Sequence, residues 1–158
     1  MILLQIVTAP DPVSAAIRFS TRSWASHAEF YDTESDAALS AKWDGVKLRP
    51  MRQLRYSRVE RFLAPGAVEA YRWALTQTGK RYDYSAIFGI ALDRDWRDPR
   101  RWFCSELVAM AFEQAAFPLL NPAADVWRIT PRDLLLSPAI LHRERCCCRP
   151  PSSGTAGV

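Results

Sequence analysis

Apolar positions along the chain fall into short runs whose period changes several times. The opening Met1-Ile2-Leu3-Leu4-Gln5-Ile6-Val7 is an apolar run and predicts a first strand. Asp11-Pro12 follows, an acceptor side chain before proline at the first helical position, and Val13, Ala16 and Ile17 supply the stripe of a helix ending near Arg22. Next come strand-like pieces at Ser26–Asp32, Ala38–Trp43, Gly45–Pro50 and Tyr56–Leu63, with Asp44-Gly45 as a turn between two of them. In the first piece His27, Glu29 and Tyr31 share one face, while Ala28 and Phe30 share the other.

Pro65-Gly66 opens a second helix with Val68, Tyr71 and Leu75 on one face, and Gly79 closes it. Tyr82-Asp83-Tyr84 leads into an apolar stretch through Leu92, followed by a charged loop from Asp93 to Arg101. The strongest helix runs from Cys104 to Phe117, where Cys104, Leu107, Val108, Ala111, Phe112 and Ala115 recur at helical spacing. Thr130-Pro131 caps a last short helix through Leu136. This order predicts an α+β fold with an antiparallel sheet. Residues 1–145 form one domain, and 146–158 are a Cys-rich segment with a Pro/Ser/Gly tail expected to be mobile.

Composition narrows the classes. At 158 residues, with 49% hydrophobic and 24% charged side chains, the chain suits one globular domain. No stretch approaches the ~20 apolar residues of a spanning helix. The opening run lacks a basic leader and reaches Thr8, Pro10 and Asp11 too soon for a signal peptide. A net charge of +4 could suit an anionic partner, but the basic residues are dispersed. The densest group, Arg49, Arg52, Arg55, Arg58 and Arg61, has the spacing of a solvated face, so no nucleic-acid partner is expected. Cys104 stands apart from Cys146, Cys147 and Cys148, which argues against a disulfide framework and for a reducing compartment. The triple with His142 could bind metal, or be acylated, but no CxxC pair completes a ligand set; no metal or cofactor is expected.

Cys104 begins the best helix, just after a charged loop. Unpaired N–H groups there favour a thiolate and can hold an oxyanion once a carbonyl is attacked. The alternative is a small buried hydrophobe at a helix start. A nucleophilic cysteine needs a base, and the chain has two histidines; His142 abuts the tail, which leaves His27. A lone strand histidine can equally be structural.

Gly79-Lys80-Arg81-Tyr82-Asp83-Tyr84 and Phe103-Cys104-Ser105-Glu106-Leu107-Val108 resemble the Gly-x-x-Tyr-Asp and Cys-Ser-Glu-Leu-Val signature of NlpC-type papain-fold cysteine peptidases. The histidine precedes the cysteine, in Ser26-His27-Ala28-Glu29-Phe30, as in the circularly permuted branch of YiiX-like proteins and, more distantly, the lecithin–retinol acyltransferase group. Thr130-Pro131-Arg132-Asp133-Leu134 is similar to that branch's closing segment. The resemblance spans residues 1–140 and implies a permuted papain-like fold, with the sheet packed on a helix that carries the nucleophile. It implies Cys104 as nucleophile, His27 as general base and Tyr82 beside the sulfur as an oxyanion or substrate contact. For the histidine-orienting residue Glu29 comes first, Ser40 is the alternative on the next strand and Asp44 is third, while Glu106 suits a helix cap. The activity implied is hydrolysis of an amide, foremost in cell-wall peptide, by a phage or prophage type of enzyme, cytoplasmic or phage-associated. An acyltransferase or lipid or thioester hydrolase with the same pair, and a non-catalytic structural or binding protein, are the alternatives. The substrate's identity and the oligomeric state are not encoded in any pattern of the chain.

Overall fold

The structure is a computed structural model that describes residues 1–82, 101–121 and 129–142. The apolar stretch through Leu92, most of the charged loop and the Cys146–Cys148 tail lie outside the described residues. Among the described residues eight strands and four α-helices follow one another: β1 (Ile2–Thr8), α1 (Pro12–Thr21), β2 (His27–Asp32), β3 (Ala37–Lys42), β4 (Gly45–Pro50), β5 (Arg58–Leu63), α2 (Ala67–Leu75), β6 (Arg81–Tyr82), β7 (Arg101–Trp102), α3 (Cys104–Gln114), α4 (Pro131–Leu135) and β8 (Leu141–His142). Six strands form one antiparallel sheet in the order β4-β3-β2-β1-β5-β8. The chain is α+β, as the order of periodic segments predicts.

The start signals of the helices act as the sequence implies. Asp11 caps α1 by accepting the Ser14 N–H at 2.8 Å, with Pro12 at the first helical position. Thr130 and Asp133 cap α4 reciprocally, Thr130 N–H reaching Asp133 Oδ2 at 2.8 Å. Gly45 makes the β3–β4 turn at φ +97, and any side chain there would meet the Lys80 carbonyl oxygen at 2.6 Å. That close approach is used: Val46 N–H donates to Lys80 O, and Gly79 N–H to Val46 O, both at 2.9 Å. Gly79 thus ties the chain to β4, three residues beyond the Thr76 cap that ends α2.

Strand order dictates what lies on each face of the sheet. On one face α3 packs through Phe112, which stacks on Phe30 at 5.7 Å between centroids, and α2 adds Tyr71 edge-on to Phe30 at 6.0 Å. On the other, the link from edge strand β4 to β5 must pass β3, β2 and β1. Its residues Met51 and Tyr56 reach Gln5 and Glu29. Tyr56, expected to begin a strand, belongs to this crossing segment. Strands β1, β2 and β3 are consequently buried on both faces.

The inward face of α2 differs from the expectation. Ala67, Ala70 and Ala74 are buried, while Val68 and Leu75 point outward at 41% and 38% exposure. The reason is proximity to α3, whose Ala109 and Ala111 are also buried; small side chains let two helices approach. The strongest helix ends at Gln114, short of Phe117, whose ring instead lies against Gly66. Ala70→Leu should overpack this contact and lower stability by about 1–3 kcal/mol, whereas Val68→Lys should stay within ~0.5 kcal/mol. Urea unfolding of both variants checks the assignment; equal loss in the two would reverse the face.

Candidate active site

Cys104 is the first residue of α3 and is 1% exposed. Two local contacts fix this helix start. Glu106 accepts the Phe103 N–H at 3.2 Å, so its carboxylate caps the helix, and the buried Ser105 hydroxyl donates to the Ile129 carbonyl at 2.5 Å. The short parallel pairing of β6 with β7 sets Tyr82 against Trp102, two residues before Cys104. Tyr82 is buried there, 6.0 Å from the Phe103 ring between centroids.

His27 stands at the start of β2, at the end of the sheet that the first turn of α3 reaches. Its Nε2 lies 3.5 Å from Glu29 Oε2, and the ring also interacts with the Cys104 side chain. Burial alone would push the imidazole pKa down; the neighbouring Cys104 and then the Glu29 carboxylate outweigh it and hold the pKa above its ordinary value, although Nε2 makes no hydrogen bond among the described residues. Glu29 is fully buried. Burial would raise its pKa, but His27, Lys42 and Tyr56 hold the carboxyl below the usual range. The structure therefore brings Cys104, His27 and Glu29 into one cluster.

Three further residues complete the surroundings of Glu29, and none stood out in the sequence as functional. Gln5 Nε2 donates to Oε1 at 2.6 Å, and Tyr56 O–H donates to Oε2 at 2.8 Å. Lys42 Nζ donates to the Tyr56 hydroxyl at 2.7 Å and lies 3.9 Å from Oε2. With Glu29 beside it, the Tyr56 hydroxyl is held far above its ordinary pKa by burial and then by that negative charge. One signal was available: Gln5 interrupts an otherwise apolar strand, and a buried polar side chain needs a partner.

The other candidates for the orienting role make no described hydrogen bond or ion pair with His27. Ser40 is buried, but its hydroxyl has no hydrogen-bond partner among the described residues. Asp44 is taken by Lys47 at 3.0 Å and by Arg49. A cleft of about 400 Å³ opens onto the cluster. It is lined by His27, Lys42, Tyr56 and Tyr82, by Asp11, Pro12, Val13, Ser14 and Ile17 at the start of α1, and by Ser26, Ala41 and Trp43.

The two shifted groups predict the pH dependence of stability. Glu29, lowered from 4.5, contributes stability that is complete above that value and lost as pH falls through its folded pKa. His27, raised from 6.5, contributes stability present below that value and lost as pH rises through its folded pKa. Unfolding midpoints across pH should fall on both sides for the native chain. Glu29→Gln should flatten the acid side and His27→Gln the alkaline side; unchanged curves would contradict the shifts.

No family model matches the chain, and no curated protein matches its sequence. Its backbone does match a solved structure, that of the metalloprotein YiiX from Escherichia coli O157:H7, DUF1105. The TM-score is 0.66 at 17% identity, over 90% of this chain and 94% of that one. At that identity the likeness shows a shared fold: the chain has a YiiX-like α+β fold built on an antiparallel sheet.

Proposed function

We propose that the chain is a cysteine hydrolase on a permuted papain-like fold, cleaving an amide bond through an acyl-enzyme. The observation that carries this reading is the position of His27 between Cys104, at the start of α3, and the buried carboxylate of Glu29. His27 removes the thiol proton and the sulfur attacks the substrate carbonyl carbon. The carbonyl oxygen takes the negative charge, within reach of the Cys104 N–H and the Tyr82 hydroxyl. The imidazolium then gives its proton to the departing amine as the C–N bond breaks. Water, deprotonated by His27, displaces the sulfur and releases the acid. Glu29 holds the ring and stabilises the imidazolium, as the third member of such triads does.

Cell-wall peptide is the foremost substrate class from the motif resemblance, and a cytoplasmic or phage-associated setting goes with it. The cleft walls favour a second reading. Pro12, Val13, Ile17 and Ala41 give the cleft apolar surface beside the polar Asp11, Ser14 and Ser26, and that surface suits an apolar acyl group carried as an ester or thioester. Among the described residues no helix is long and apolar enough to cross a membrane. The YiiX neighbour is described as a metalloprotein. Among the described residues of this chain no three His, Cys, Asp or Glu side chains are grouped to hold a metal ion. The Glu29 carboxylate already receives Gln5 and Tyr56, so the described residues around it do not fit a metal centre.

Muropeptides, acyl-p-nitrophenyl esters and acyl thioesters, each offered to the purified chain, test the reading. Cys104→Ala and His27→Ala should each abolish turnover, Cys104→Ala with the unfolding midpoint little changed. Glu29→Gln should lower kcat at least about tenfold, equivalent to ~1.4 kcal/mol, and Ser40→Ala much less. Full activity in His27→Ala would falsify the pair. Turnover of none of the three substrate classes would favour a non-catalytic binding protein on this fold.

A further inference from the structure

Gln5 is wholly buried in β1, the third strand from the β8 edge of the sheet, and no step of the proposed reaction uses it. Its register partners are Glu29 on β2 and Arg61 on β5, so three polar residues lie in one row across three strands. Arg61 Nε donates to Gln5 Oε1 at 2.7 Å, and Gln5 Nε2 donates to Glu29 Oε1 at 2.6 Å. A guanidinium only donates and an ionised carboxylate only accepts. The amide therefore has one orientation that satisfies both neighbours. Turned over, it would set N–H against N–H and oxygen against oxygen. Arg61 is itself held, its guanidinium lying 4.0 Å above the Tyr31 ring, whose hydroxyl donates to Asp36 at 2.9 Å.

We infer that Arg61 and Gln5 are positioning residues for the His27 site, clamping Oε1 of Glu29 so that Oε2 faces the imidazole, a role that rests on the Cys104–His27 reading and extends it across two more strands. Oε1 takes the Gln5 amide, and Oε2 is left to Tyr56, His27 and Lys42. The terminal torsion of a glutamate is broad, so without a clamp the plane of the carboxylate is poorly set. The groups around His27 are Glu29 on its own strand, Lys42 from β3, Cys104 from α3, Tyr56 from the crossing segment, and Asp11 and Tyr82 along the cleft. Gln5 hydrogen bonds to Glu29 among these, and through it the row reaches the imidazole.

The sign of one titration separates positioning from bulk charge. Removing the Arg61 cation by charge alone would make imidazolium easier to form and raise the His27 titration midpoint. Loosening the carboxylate does the opposite, because the imidazolium loses part of its partner. The experiment follows the His27 ring protons by NMR in the full chain, assigned with a His142→Gln variant, for native protein, Gln5→Leu, Arg61→Met, Arg61→Lys and Glu29→Gln. Gln5→Leu and Arg61→Met should each lower the midpoint by about 0.5 unit, Glu29→Gln by more, and Arg61→Lys by less than Arg61→Met. Unfolding midpoints are recorded alongside; Arg61 is half-buried, so Arg61→Met decides the matter if Gln5→Leu does not fold. An unchanged or raised midpoint in Arg61→Met overturns the positioning role and leaves the proposed hydrolase standing. Lowered midpoints in a chain with no turnover would uphold the role and remove the hydrolase.

Discussion

The site depends on one ionised carboxylate placed where water cannot reach it. Glu29 is fully buried in the middle of a strand that is covered on both faces. An isolated buried carboxylate costs many kcal/mol and would take up a proton. Here Gln5 and Tyr56 donate to it, and Lys42 and His27 stand close enough to offset its charge. Removing any one donor leaves the others sharing a less compensated charge, so the cluster is coupled and single substitutions within it will not add.

This arrangement follows from the order of the strands. Placing β4 at the edge and β5 beyond β1 forces the intervening segment across the sheet. The crossing carries Tyr56 onto Glu29 and roofs the polar row that starts at Arg61. The opposite face needs no such device, because Phe30, Leu39 and Val46 meet α2 and α3 in an ordinary apolar core. One sheet thus has a greasy side that carries the helices and a polar side that has been closed over.

The candidate site lies where the two sides meet at the end of β2. Helix α3, fixed by Phe112 on Phe30, delivers Cys104 with the unpaired N–H groups of a first turn. The β6–β7 pairing delivers Tyr82 beside the same turn. His27, first residue of its strand, can face the sulfur and still lean toward Glu29 two residues on.

Much of this was legible along the chain. Period-two and helical patterning placed the longer strands and helices, because alternation and the i, i+3, i+4 stripe are local consequences of backbone geometry. The Asp11-Pro12 and Thr130-Pro131 starts were readable for the same reason: a cap needs only residues within a turn. Cys104, His27 and Glu29 were readable as residue types in a helix start and on one strand face. What the patterning could not carry was which face is covered, and by what. The sequence puts His27, Glu29 and Tyr31 on one face of β2 without saying what covers it, and the crossing segment buries it; Val68 and Leu75 of α2 look inward-facing, and the close approach of α3 selects alanines instead. Lys42, Tyr56 and Gln5 gather on one carboxylate from three separate stretches of chain, and Arg61 joins them through Gln5. Contacts of that range depend on strand order and on what crosses the sheet, and only the tertiary structure decides those.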